Sequence, residues 1–190
     1  MALMALSFFA CKAFAAGEGG LLTDYSFEST SLAVGTGWAE QGTVGSIATS
    51  TGQKYSGTRS VQFQDVTTAY TGRYLLSDTI SVAQSTAYSA AVRAYASADG
   101  TATIRLKISW YSTHTGTAAL ASTTSTDLAI SSPGTWMRVN FDNQMSDPSA
   151  IYAVLEIAAM EPGSAGNNVF IDDACFIQST TSVDNWKEVK

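Results

Sequence analysis

Thr103-Ile104-Arg105-Leu106-Lys107-Ile108-Ser109-Trp110-Tyr111 alternates apolar and polar side chains along its length. Successive side chains of an extended chain point to opposite faces. Ile104, Leu106, Ile108 and Trp110 therefore share one face, and Arg105, Lys107, Ser109 and Tyr111 share the other. Ala87 to Tyr95 repeats the pattern, with Tyr88 and Val92 opposite Ser89, Ala91, Arg93 and Tyr95. Working outward, runs rich in β-branched and aromatic residues recur near 43–49, 59–66, 71–82, 117–123, 135–141, 150–160 and 167–177. Gly, Ser, Asp or Pro clusters separate them, as turns require. No window sustains the apolar period of a helix. About nine or ten strands at this spacing imply an all-β, antiparallel two-sheet sandwich of jelly-roll type.

The two ends of this array carry carboxylates in unusual places. Gly166-Asn167-Asn168-Val169-Phe170-Ile171-Asp172-Asp173-Ala174-Cys175-Phe176 reads as a buried strand with two adjacent aspartates inside it. At least one of them must turn toward the interior or the strand's edge. There it needs a cation or several donors to stay charged. Leu22-Thr23-Asp24-Tyr25-Ser26-Phe27-Glu28 reads as a second short strand with a carboxylate beside an aromatic. If the two segments are neighbours, Glu28 and one aspartate can share a hard cation.

The chain has 190 residues, which suits one domain, expected over 17–178. A chain of this size buries roughly 70% of its unfolded surface, enough for a core without staples. Charged residues are only 14%, and 16 acidic against 10 basic residues give a net charge of −6. That balance argues against nucleic acid or an anionic membrane as the main partner. Residues 1–16 read as an export signal: Ala2 to Ala10 is apolar, and Ala13-Phe14-Ala15 places small residues where a signal peptidase reads. The apolar run is too short to span a bilayer. Secretion to the cell surface, periplasm or exterior is expected. Its removal takes away Cys11 and leaves Cys175 alone, expected as a small core residue without a disulfide. Residues 179–190 form a polar tail.

Several pieces in order resemble the galactose-binding-like jelly rolls, specifically the carbohydrate-binding modules attached to bacterial cellulases and xylanases. They are Asp24-Tyr25-Ser26-Phe27-Glu28 with Gly37-Trp38, Tyr55-Ser56-Gly57-Thr58-Arg59-Ser60-Val61, and Ile80-Ser81-Val82 running into Thr86-Ala87-Tyr88-Ser89. Ile108-Ser109-Trp110-Tyr111 with Gly116, Gly134-Thr135-Trp136-Met137-Arg138 and Val169-Phe170-Ile171-Asp172-Asp173 complete the set. The resemblance spans 22–178. It implies a structural calcium joining the first and last strands, with Glu28 and Asp172 as carboxylate ligands. Backbone carbonyls near Ser26 and Gly57 would complete its shell.

A sugar site needs a flat ring for the sugar's C–H face and a few fixed polar groups for its hydroxyls. Strand parity puts Arg73, Arg93, Tyr95, Arg105, Lys107 and Tyr111 outward, with Tyr152 and Glu156 as further members. Tyr111 and Tyr95 are the candidate platforms; Arg93, Arg105 and Arg73 are candidate partners for hydroxyls or carboxylates. So many basic side chains on central strands of an acidic chain hint at an anionic polysaccharide. The alternative is a solvated sheet face with ordinary cross-strand pairs. Trp110 reads as core, Trp38 as a packing tryptophan, and Trp136 as structural.

Catalysis has little support. The single histidine, His114, lies in a Thr-Gly-rich turn without partners for a zinc site, and no Gly-x-Ser-x-Gly elbow is present. Glycoside hydrolysis needs two opposed carboxyls, and Glu156 and Glu161 sit in or just after one strand. The leading expectation is a secreted, non-catalytic polysaccharide-binding module. The alternatives are a structural or adhesive extracellular protein that self-assembles through strand edges, and a polysaccharide lyase or hydrolase.

Overall fold

The computed structural model describes residues 20–42, 47–66, 73–97, 102–116, 118–160 and 167–179. Among these there is no helix. The strands are β1 (Trp38–Gly42), β2 (Ile47–Ser50), β3 (Ser60–Val66), β4 (Arg73–Ser77), β5 (Ile80–Ser81) and β6 (Ala87–Ala96). They continue with β7 (Thr103–Tyr111), β8 (Ala121–Thr124), β9 (Leu128–Ala129), β10 (Met137–Met145), β11 (Tyr152–Met160) and β12 (Asn167–Gln178). All described pairings are antiparallel. The larger sheet runs β1-β4-β11-β7-β8, with β5 beside β11 and β9 beside β7; the smaller runs β10-β6-β12-β3-β2. The expected two-sheet sandwich is what forms.

The alternation that decides the strands also builds the core. Ile104, Leu106, Ile108 and Trp110 of β7 and Ala153, Leu155 and Ile157 of β11 point inward from the larger sheet. Tyr88, Val92, Val139, Val169, Ile171 and Phe176 face them from the smaller sheet. Tyr88 stacks on Phe176 at 5.3 Å and lies 5.9 Å from Trp110, linking the sheets through their rings. Burying one such side chain stabilises the fold by roughly 1.5–3 kcal/mol.

The N-terminal segment differs from the expected strand. Asp24 and Phe27 both take left-handed backbone conformations (φ 50° and 56°), so Leu22–Glu28 folds as a turn. Apolar docking compensates: Phe27 is buried against Trp38 at 4.9 Å, and Trp38 Nε1 donates to the Asp24 carbonyl at 3.1 Å. The segment nevertheless lies beside β12, as expected. Leu21 N donates to the Phe176 carbonyl at 3.0 Å, and Ala174 N donates to the Tyr25 carbonyl at 2.8 Å.

A bulge in β12 resolves the adjacent aspartates. Pairing with β6 shifts between Asp172 and Cys175, and Asp173 is left-handed (φ 42°). Val169 and Ile171 precede the shift and Ala174 and Phe176 follow it, all in the core. Asp172 and Cys175 are thereby both aimed outward, and neither aspartate enters the apolar interior. Cys175 is disulfide-bonded, contrary to the expectation of a lone thiol. The sequence's other cysteine, Cys11, lies outside the described residues, as do the export signal and Glu161.

Candidate functional site

The outer face of the smaller sheet is organised in rows. Trp136, just ahead of β10, Tyr95 on β6 and Phe170 on β12 form an aromatic row. Ring centroids are 5.5 Å apart for Tyr95–Trp136 and 5.9 Å for Tyr95–Phe170. In the next row Arg138, Arg93 and Asp172 are register partners on three adjacent strands. Beyond it lie Asn140, Ala91 and Cys175. The local sequence dictates this. Val139 packs inward between the partly buried Met137 and Phe141, so Arg138 and Asn140 take the other face.

A loop between β2 and β3 adds Tyr55 to this face. Its ring meets Trp136 edge-on at 6.0 Å, and the Arg93 guanidinium sits 4.5 Å above its centroid. Tyr55 remains 45% exposed. Trp136, Tyr95, Arg93 and Arg138 are each half-buried. Such a surface offers flat apolar rings beside forked donors, the two elements sugar recognition requires.

Two carboxylates hold the loop in place. Asp172 is fully buried beneath it, and its Oδ2 accepts hydrogen bonds from the amides of Tyr55 (2.7 Å) and Ser56 (3.0 Å). Asp172 Oδ1 accepts from the Asp173 amide at 2.8 Å, and the Ser56 hydroxyl donates to Asp173 at 2.6 Å. Burial pushes the Asp172 carboxyl up to about 6 despite these donors. From the other side Glu28 accepts from the Thr58 amide, the Thr58 hydroxyl and the Arg59 amide. Burial works against the Glu28 charge, but those hydrogen bonds and the Arg59 guanidinium hold its carboxyl below the usual range. Asp24 in turn accepts from the Glu28 amide at 2.8 Å and the Ser29 amide at 3.1 Å, fixing where Glu28 begins. Burial raises the Asp24 carboxyl, with the Ser29 and Glu28 amides opposing.

Gly57 stands against Glu28. Its φ is 58°, and a Cβ there would overlap Glu28 Oε1. Glu28, Asp172 and Gly57 thus meet at one loop, Ser26 lies in the N-terminal turn just ahead of Glu28, and their oxygens are of the hard type calcium takes. Among the described residues no three His, Cys, Asp or Glu side chains group closely enough to hold a metal. Backbone carbonyls would have to supply much of any shell.

The other expected ligand residues separate. Tyr95 and Arg93 belong to the face just described. Tyr111 and Arg105 lie on the outer face of the larger sheet, the opposite side of the sandwich. There Tyr111 is the register partner of Tyr152, whose ring meets His114 edge-on at 5.3 Å. Arg105 pairs with Asp127 at 2.6 Å and Lys107 with Glu156 at 3.2 Å, so these cations are internally neutralised. Arg73 shares the parity of Leu75 and Ser77 rather than an outer face. Its guanidinium donates to the Gln64 carbonyl of β3 at 3.2 Å, tying one sheet to the other. Tyr55, Trp136, Arg138 and Phe170 were not among the expected ligand residues. For Trp136 and Arg138 the signal was available in the alternation of β10.

No curated protein matches the chain. Among solved structures, TmCBM61 in complex with β-1,4-galactotriose is 16% identical with a TM-score of 0.59, over 84% of this chain and 99% of that one. The CBM22-1 xylan-binding domain from Paenibacillus barcinonensis is 14% identical with a TM-score of 0.56, over 88% and 100%. The C-terminal family 22 carbohydrate binding module of a Clostridium thermocellum protein is 17% identical with a TM-score of 0.54, over 84% and 93%. These likenesses establish a shared β-sandwich. A family model described as a carbohydrate binding domain matches residues 19–162, and this chain belongs to that family.

Proposed function

We propose that this chain is an exported, non-catalytic carbohydrate-binding module that holds a polysaccharide on the outer face of its smaller sheet. The observation carrying this is the convergence of Tyr55, Tyr95 and Trp136 with Arg93 and Arg138 on that face. On the larger sheet Arg105 and Lys107 are held by Asp127 and Glu156. The relatives that bind galactotriose or xylan share the fold and support a sugar ligand. The non-catalytic reading rests on how carboxylates are used: Asp172 serves the Tyr55 and Ser56 amides, and Glu156 serves Lys107.

A structural calcium at Glu28 and Asp172, with carbonyls of Ser26 and Gly57, is part of the proposal. It is supported by the placing of both carboxylates on one loop at the junction of the chain's two ends. Calcium would strengthen a clamp that N–H donors already form.

Affinity electrophoresis against a panel of soluble plant, algal and bacterial polysaccharides tests the binding reading. Retardation by at least one polymer is expected, and Trp136→Ala should weaken it about 30-fold, the loss of about 2 kcal/mol typical of a central aromatic contact. Absence of retardation by every polymer would refute the reading. It would favour the structural, self-assembling alternative, which light scattering at increasing concentration then examines.

A further inference from the structure

The register of the smaller sheet carries the proposed sugar face beyond its aromatic end. Phe170 of β12 is paired with Tyr95 of β6 on one side and with Gln62 of β3 on the other, and Gln62 is paired in turn with Ala48 of β2. Trp136, Tyr95, Phe170, Gln62 and Ala48 therefore make one row across the whole sheet. Val61 and Phe63 beside Gln62, Val169 and Ile171 beside Phe170, and Ile47 beside Ala48 are all core residues. Alternation then turns the row outward. Gln62 is half-buried there, and its side-chain amide makes no hydrogen bond to another described residue. That amide holds both donors and an acceptor, so it can meet a sugar hydroxyl in either sense.

A sugar chain resting on Trp136 and Tyr95 can run along the strands or across them. Along the strands the next row is occupied. The loop carrying Tyr55 is pinned there, with the Tyr55 and Ser56 amides on Asp172 at 2.7 and 3.0 Å and the Tyr55 ring against the Arg93 guanidinium. The loop therefore stands as a wall beside the first row. Across the strands the row continues. Phe170, 6% exposed and 5.9 Å from the Tyr95 ring, is a recessed floor, and Gln62 follows it. Neighbouring strands lie about 4.8 Å apart, close to the advance of one unit along an extended sugar chain. Each strand from β10 to β3 can thus meet one unit. Ala48 on β2, with neither ring nor side-chain donor, ends the series.

We propose that Gln62 is a further ligand-binding residue, at the far end of a track that crosses the strands and takes about four sugar units. This rests on the sugar-binding reading above, and the experiment keeps the two apart. The polymer that most retards the wild-type protein in affinity electrophoresis is hydrolysed and sized into a series from the disaccharide to the hexasaccharide. Binding of each member is read by isothermal titration. Affinity should climb with each unit to about the tetrasaccharide, then grow no faster than the number of registers in which a longer chain can engage. Gln62→Ala and the length-matched Gln62→Met should each weaken tetrasaccharide binding about three- to tenfold, the loss of one hydrogen-bonding partner. Asn140 is exposed and lies two places along β10 from Arg138, on the course that follows the strands, so Asn140→Ala should leave that binding unchanged. A plateau at the disaccharide, a steady climb through the hexasaccharide, no loss in either Gln62 variant, or a loss in Asn140→Ala overturns the track and leaves the sugar-binding reading standing. Retardation by no polymer overturns both.

Discussion

Replacing Gly57 by alanine tests the loop clamp in isolation. Gly57 has φ 58°, and an added methyl carbon would overlap Glu28 Oε1. Two costs follow. A side chain in the left-handed region costs roughly 1–2 kcal/mol. Displacing Glu28 also disturbs its hydrogen bonds to Thr58 and Arg59; these are solvent-exposed, so about 1 kcal/mol is a suitable allowance. The sum is about 2–3 kcal/mol. For a chain of this size each kcal/mol lowers Tm by about 2–4 °C, which predicts a fall of about 4–12 °C. Gly134 supplies the control, since its φ is 77° but a Cβ there meets nothing within 4 Å. Gly134→Ala should therefore show the backbone cost alone, about 2–8 °C. Differential scanning fluorimetry of both variants, and of each combined with Glu28→Ala, completes the comparison. In the Glu28→Ala background the excess cost of Gly57→Ala should vanish. If Gly57→Ala costs no more than Gly134→Ala in wild type, Glu28 does not lie against this loop and the clamp is misassigned.

Other perturbations separate the parts of the molecule. Calcium should raise Tm by mass action on the folded state and EDTA should lower it to the metal-free value; Glu28→Gln should remove most of the rise, and an unchanged response excludes Glu28 as a ligand. Trp110, 1% exposed, should cost about 3–5 kcal/mol when cut to alanine, measured by urea unfolding. Its indole N–H is buried without a partner, so Trp110→Phe should be far milder; equal costs would contradict that placement. Tyr111→Ala, on the larger sheet, should leave polysaccharide binding as it is while Trp136→Ala weakens it; the reverse pattern would move the site to the opposite face. Because Cys175 is disulfide-bonded, thiol titration of the unreduced, unfolded full-length chain should find no free thiol, whereas two free thiols per chain would show it unpaired.

The strands were legible because alternation reports one physical fact, whether a side chain faces the core or away from it. Thr103–Tyr111 and Ala87–Ala96 formed as their patterns require. Parity does not say which of two sheets a strand joins, so Tyr95 with Arg93 and Tyr111 with Arg105 were pooled into one surface. The sandwich puts its own thickness between them. Arg73 went astray for a related reason: at a strand end an inward-facing cation can reach the rim and bond the other sheet, as it does to Gln64. The bulge at Asp173 was illegible because no side chain announces a parity reset. The same holds for Leu22–Glu28, whose apolar spacing suits a strand although left-handed residues at Asp24 and Phe27 turn it.

The clamp and the binding face are mechanically one object. Asp172 holds the amides of Tyr55 and Ser56 from below, and Glu28 holds Thr58 and Arg59 from the side. Between these anchors Tyr55 is carried out to the point where its ring supports Arg93 and meets Trp136. The carboxylates that first looked like a metal site are therefore also the supports of the proposed sugar platform. Removing Asp172 leaves the part-buried amides of Tyr55, Ser56 and Asp173 without their acceptor, which costs about 1–3 kcal/mol for each that water does not reach. Asp172→Ala should thus lower both Tm and polysaccharide affinity, although Asp172 itself is wholly buried. Tyr55→Ala, by contrast, removes only an exposed ring and should lower affinity with Tm nearly unchanged. If Asp172→Ala destabilises the fold yet binds polysaccharide as wild type does at a temperature where it is fully folded, the platform does not depend on the clamp.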